Sequence, residues 1–88
     1  MEGTALTVGT EVGRIAHFFP RISVAEVKVT GTLKVGDTIK ILGKKTNLTQ
    51  KVESMEIDHQ KIEEAKPRDD IGLKVDQRVT EGCCVFKL

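Results

Sequence analysis

The sequence predicts an all-β fold, a small antiparallel barrel, on three observations. The run Leu33-Lys34-Val35-Gly36-Asp37-Thr38-Ile39-Lys40-Ile41 feeds a Gly-Asp turn into an alternating strand, and Ala65-Lys66-Pro67-Arg68-Asp69-Asp70-Ile71-Gly72-Leu73 repeats the plan with an Asp-x-Gly turn. Glycine takes the positive-φ position of such turns, and aspartate bonds its own turn backbone. Clean alternation recurs in Ile39/Ile41, Ile71/Leu73/Val75 and Cys84/Phe86/Leu88, each preceded by a turn. Finally, the inward parity changes in three places, which fits strands that bend and coil as a closing barrel requires.

Along the chain, Leu6, Val8 and Val12 share one parity while Ile15 and Phe19 take the other, so a bulge is expected at Gly13-Arg14. The second change falls between Ile22/Val24 and Val27/Val29, and the third between Val52 and Met55/Ile57. Gly43-Lys44-Lys45-Thr46-Asn47 reads as an exposed connection between strands. In Gln60–Ala65, Ile62 and Ala65 lie three apart, but Pro67 limits any helix, so a loop or single turn is expected. About six short strands result. Residues 8–88 are expected to form one barrel domain, with a flexible amino terminus over residues 1–7.

Composition narrows the function classes. Of the 88 residues, 39% are hydrophobic and 31% charged, a globular balance with no apolar run long enough to span a membrane. The amino terminus has no basic stretch followed by an apolar one, so a cytoplasmic location is expected. Cys83 and Cys84 are adjacent, and strand neighbours point to opposite faces, so free thiols are expected, with a vicinal redox pair as the alternative. His17 and His59 stand apart and no set of residues has metal-ligand spacing, so neither metal nor other cofactor is expected.

No catalytic constellation is visible, and an enzyme is not expected. Gly43-Lys44-Lys45-Thr46 lacks the first glycine of a phosphate-binding loop and has Lys where the hydroxyl belongs, which excludes that nucleotide site. Glu63-Glu64 and Asp69-Asp70 are sequence neighbours that diverge on extended chain, so they read as solvated or turn-forming acids. His17 has no Ser, Cys or carboxylate partner nearby in sequence, and reads as a packed or surface histidine rather than a general base.

The net charge of +1 conceals an asymmetry. Residues 12–52 hold eight Lys or Arg against Glu26 and Asp37, whereas residues 53–88 hold six against nine carboxylates. Such a split can produce one basic face; the alternative is that interleaved strands disperse it. Phe18 and Phe19 cannot both face inward on an extended strand. One of them is therefore a candidate contact beside His17 and Arg21, with a barrel-closing apolar plug as the alternative.

Taken in order, Gly31–Ile39, Val52-Glu53-Ser54-Met55, Ala65–Gly72 and Glu81-Gly82 before a final apolar strand resemble domain II of the translational GTPases, such as elongation factor Tu. The resemblance covers residues 12–88. The chain is more similar still to the stand-alone translation elongation factor-like proteins and to the carboxyl-terminal barrel of collagenase-like peptidases linked to RNA modification. Gly13-Arg14-Ile15, His17-Phe18-Phe19-Pro20 and Gln50–Met55 carry that likeness. The resemblance implies a six-stranded Greek-key barrel in which Gly36, Asp37, Gly72 and Gly82 make turns. The family's glycine-rich turn between its first two strands is replaced here by Phe18–Ser23, so contacts made by that turn do not transfer, and neither does GTP binding.

The leading expectation is a non-catalytic module contacting tRNA or rRNA through Arg14, His17, Arg21, Lys44 and Lys45, which would require these five to share a face. The alternative is a protein-interaction domain completing a separately encoded peptidase-like enzyme or GTPase. That role would require an exposed apolar patch or an open strand edge.

Overall fold

The computed structural model of the chain describes residues 9–88, so the expectation for residues 1–7 falls outside the described residues. The elements are β1 (Thr10–Phe19), β2 (Val24–Val29), β3 (Leu33–Lys34), β4 (Thr38–Leu42), β5 (Asn47–Lys51), β6 (Met55–Ile57), β7 (Gln60–Ile62), β8 (Glu64–Ala65), β9 (Asp70–Lys74) and β10 (Cys84–Lys87). Eight form one curled sheet in the order β5-β4-β10-β1-β2-β9-β6-β7, and β3 pairs with β8. Every pairing is antiparallel. The expected all-β barrel forms, though from ten strand segments where six strands were expected. Among the described residues, no helix is long and apolar enough to cross a membrane.

β1 sits at the centre of the sheet and departs from regular alternation twice. Its register slips between Glu11 and Gly13 against β10, and between Ile15 and His17 against β2. These two bulges bracket the Gly13-Arg14 step at which the sequence pattern breaks, and they allow both Val12 and Ile15 to point inward. A Cβ at Gly13 would press on Val27 Cγ1 at 2.7 Å, so the close crossing of β1 and β2 needs glycine there. After the second bulge Phe18 packs against the core and Phe19 faces outward.

The other two parity changes have a different cause. Ile22 belongs to the turn before β2, after which Ala25, Val27 and Val29 alternate inward without interruption. The chain leaves the strand after Lys51 and starts a new one at Met55, so Val52 and Met55 need not share a parity. Two further expectations are corrected. Gly72 is not a turn residue: it lies inside β9, paired with Glu26 on one side and Glu56 on the other. Gln60–Ala65 is two short strands broken at Glu63: a two-residue hairpin turn at Asp58-His59 returns β7 along β6, and β8 pairs with β3. Both turn residues have positive φ, 52° and 65°, the requirement of the turn that matches strand twist.

Two turns of one design flank the β3–β8 pair. In Lys34–Asp37 and in Lys66–Asp69, the aspartate N–H donates to the lysine carbonyl at 3.0 Å. The lysine N–H donates back to the aspartate Oδ2 at 2.8 Å. Gly36 takes the positive-φ place in the first turn (98°) and Arg68 in the second (80°), where Pro67 presets the preceding residue. The expectation that Asp37 bonds its own turn is therefore met, and Asp69 does the same.

One core fills the barrel. Ile15, Val27, Leu33, Ile39, Ile41, Met55, Ile71, Leu73, Val75, Val79 and Val85 are all buried within it. Each such side chain removed from water contributes about 1.5–3 kcal/mol. The free edge of β5 is drawn to the segment following β9 by one buried side chain, Gln50. Its Nε2 donates to the carbonyls of Lys74 (3.0 Å) and Lys51 (3.2 Å), while its Oε1 accepts from Asp76 N–H (2.8 Å). This side chain replaces a strand ladder where backbone pairing stops.

Candidate functional site

The residues singled out in the sequence fall on two regions. Arg14 points outward from β1, opposite Cys84, which in turn lies opposite Leu42 at the end of β4. Lys44 and Lys45 are exposed in the connection that follows Leu42. That connection packs on the turn before β10: Thr46 Oγ1 meets Thr80 Oγ1 at 3.5 Å, and a Cβ at Gly43 would run into Cys83 Sγ. His17 reaches the same turn through Nδ1 and Glu81 Oε2 at 3.0 Å, with its ring edge-on to Phe19 at 4.6 Å. The structure thus brings Arg14, His17, Lys44 and Lys45 onto the elements that adjoin residues 80–83, with Glu81 bonded to His17. Arg21 lies apart, exposed in the turn between β1 and β2.

The cysteines divide as strand alternation requires: Cys83 is buried, Cys84 is half-buried on the other face, and both are free thiols. Burial pushes the Cys83 thiol up. Hydrogen bonds from the Thr80 hydroxyl (3.2 Å to Sγ), the Thr46 hydroxyl and the Thr80 backbone outweigh burial and hold the thiol below its ordinary value. Among the described residues, no three His, Cys, Asp or Glu side chains converge as a metal site would need.

A second region was not anticipated. On the outer face of β2, β9 and β6, Gly72 leaves a strand position with no side chain, and a groove of about 460 Å³ opens over it. Strand alternation directs Val24 and Glu26 outward from β2, Asp70 and Gly72 from β9, and Glu56 from β6. Glu26 and Glu56 flank Gly72 in register, two strand spacings or about 10 Å apart along the sheet. Phe19, Ile22 and Val24 line the groove as an apolar wall, and Asp58 and His59 come from the β6–β7 hairpin turn. Phe19 is 42% exposed and Ile22 59%, and of the four exposed large apolar side chains among the described residues these two stand together at the groove. Lys28 Nζ lies 3.8 Å from Asp70 Oδ1, the one ion pair at the groove among the described residues.

Sequence reasoning placed one exposed phenylalanine beside His17 and Arg21, and Phe19 is that residue. It missed the groove because Gly72 was taken for a turn glycine. A glycine between two inward-facing apolar residues, Ile71 and Leu73, in a run that alternates without a break was the available signal.

Fold and groove together define a small all-β barrel with a half-buried, side-chain-free strand position at Gly72 set between carboxylates and apolar residues. No family model matches the chain. It is 42% identical over 79 residues to an uncharacterized protease of Methanocaldococcus jannaschii; the match covers 89% of this chain and 19% of that protein. The chain therefore spans about a fifth of the length of the curated relative it matches. Among solved structures it is similar to the carboxyl-terminal domain of a Geobacillus thermoleovorans protein designated a U32 peptidase. The selenomethionine form superposes with a TM-score of 0.83 at 21% identity, covering 88% of this chain and 98% of that one. A second structure of that domain also gives 0.83, at 19% identity over 100% and 98% of the two chains. The fold is that of this peptidase-associated domain, in line with the resemblance to the carboxyl-terminal barrel of collagenase-like peptidases.

Proposed function

We propose that the chain is a non-catalytic binding module that docks onto a peptidase-like protein. The observation that carries this reading is the 42% identity across 89% of the chain to a segment making up 19% of an archaeal protease. A segment of that size beside a much larger remainder has the proportions of an accessory domain. The exposed apolar pair Phe19 and Ile22 supports the same reading, because a protein-docking domain needs an apolar patch on its outer surface.

In this reading the chain contributes contact surface, and catalysis belongs to the partner. Contact with tRNA or rRNA through Arg14, His17, Arg21, Lys44 and Lys45 is a weaker reading, since His17 is engaged by Glu81 and Arg21 is set apart from the other four.

The test uses the intact chain and the M. jannaschii protease from which the matching segment has been deleted. Separately purified and mixed, they are expected to co-elute on size exclusion as a complex of defined stoichiometry. A parallel titration of the chain against bulk tRNA at low salt distinguishes the alternative. Steep salt-dependent tRNA binding without complex formation would overturn the docking reading.

A further inference from the structure

The groove over Gly72 deepens the docking reading and rests on it. We propose that this groove receives an extended peptide segment of the peptidase-like partner, one that presents a large apolar side chain next to an arginine or lysine.

The chemistry of the lining selects that occupant. Glu26 and Glu56 stand on either side of the bare position at Gly72, with Asp58 and Asp70 at the rim, and no Lys or Arg lines the groove. Three lysines stand beside this rim: Lys28 approaches Asp70, Lys61 lies opposite Glu56 on β7, and Lys74 Nζ donates to the Ile22 carbonyl, so Glu26 and Asp58 are the lining carboxylates that none of these lysines meets. With Glu26 and Asp58 in the lining and no Lys or Arg among the lining residues, the groove itself favours a cation from outside over a phosphate.

Charge alone does not describe the site. Phe19, Ile22 and Val24 form one wall, and a small hydrated cation would leave them exposed to water. An arginine covers both features, with its aliphatic stem against Val24 and Phe19 and its guanidinium forked between carboxylates. The volume of about 460 Å³ lies in the range of ligand sites, roughly 300–1,000 Å³, and suits a few side chains rather than a folded domain. The floor is flat because Gly72 has no Cβ, so a peptide backbone can approach the sheet closely; a Cβ there would already touch Val24 Cγ1 at 3.3 Å.

The experiment is a fluorescence-anisotropy titration of the intact chain with a fluorescein-labelled peptide alternating Leu and Arg. Peptides alternating Leu with Glu and Ser with Arg serve as controls. The variants are Gly72→Val, which fills the floor, and Glu26→Lys with Glu56→Lys, which reverses the charge at outward positions. The Leu-Arg peptide is expected to bind at least tenfold more tightly than either control, and each variant to weaken it at least tenfold while melting as the parent does. Should Gly72→Val fail to fold, the charge reversal carries the test alone. Undiminished binding by the variants, equal binding of the Ser-Arg peptide, or no binding would overturn the proposal, as would a dimer of the chain dissociated by Gly72→Val.

The same variants in the size-exclusion assay separate this proposal from the reading it rests on. A complex formed equally well by parent and variants sinks the groove and keeps the docking module. Peptide binding without any complex sinks the docking reading and, with it, the partner segment as occupant.

Discussion

On the β5–β4–β10 flank Gln50, Thr46, Thr80 and Cys83 bond to one another and to the backbone, whereas on the β2–β9–β6 flank Glu26 and Glu56 stand outward around a strand position with no side chain. Gln50 occupies its amide on three backbone groups, and Thr46, Thr80 and Cys83 form a closed chain of contacts beneath the Lys44-Lys45 loop. Glu26, Glu56 and Asp58 surround a groove instead. The contrast separates two uses of polarity in a small barrel. Polar groups turned inward hold the strands where backbone pairing ends, so their loss changes stability. Polar groups turned outward beside exposed apolar surface are the ones the docking proposal assigns to a partner, so under that proposal their loss changes binding rather than stability.

The largest effect that could break this contrast is Gln50→Ala. It leaves two carbonyls and one N–H without partners in a partly buried position, and the expected loss is about 3 kcal/mol, read as a fall in the urea midpoint. Peptide binding by the fraction that remains folded is expected to be unchanged. Gly43→Ala comes next. Its Cβ would run into Cys83 Sγ, an overpacking expected to cost about 2 kcal/mol and to be largely relieved when Cys83→Ala is added, as a double-mutant cycle would record.

Gly72→Val on the opposite flank is expected to invert the pattern. Stability should stay within about 1 kcal/mol of the parent, because valine suits a strand and the new side chain points outward, while peptide binding falls at least tenfold. The smallest effect belongs to Cys83. Its thiol is held low in the folded chain, so between the folded and unfolded values the folded state binds fewer protons. Stability then rises with pH through that interval; the contribution is absent below the folded value and complete above the unfolded one. In a Cys84→Ser background, thiolate absorbance is expected to appear at lower pH in the folded than in the urea-unfolded chain. Thr80→Val should narrow the difference.

Much of the fold was legible in the sequence because local rules dominate small antiparallel sheets. The turn at Gly36-Asp37, the alternation of β4, β9 and β10 and the opposite facing of Cys83 and Cys84 follow from residue type and period two. What escaped was set by tertiary context. The β6–β7 hairpin turns on Asp58-His59 without glycine, so its signal was absent and Gln60–Ala65 went unrecognised as strand. β1 carries two bulges where the pattern marked one break, because the parity of a strand records only the net slip.

The candidate cations were legible only as charges along a chain. Which of them meet around residues 80–83 depends on β10 inserting between β4 and β1, a long-range pairing with no local signature. The groove depended on reading Gly72 as a gap in a strand rather than as a turn, a choice that only its pairing with Glu26 and Glu56 decides.

The most direct test of the contrast is an amide-resolved NMR titration of the intact chain with the M. jannaschii protease lacking its matching segment. Shifts or broadening confined to Phe19, Ile22, Val24, Glu56, His59 and Gly72 are the expected result. Changes centred instead on Lys44, Lys45 and residues 80–83, with the Gly72 region silent, would contradict the account.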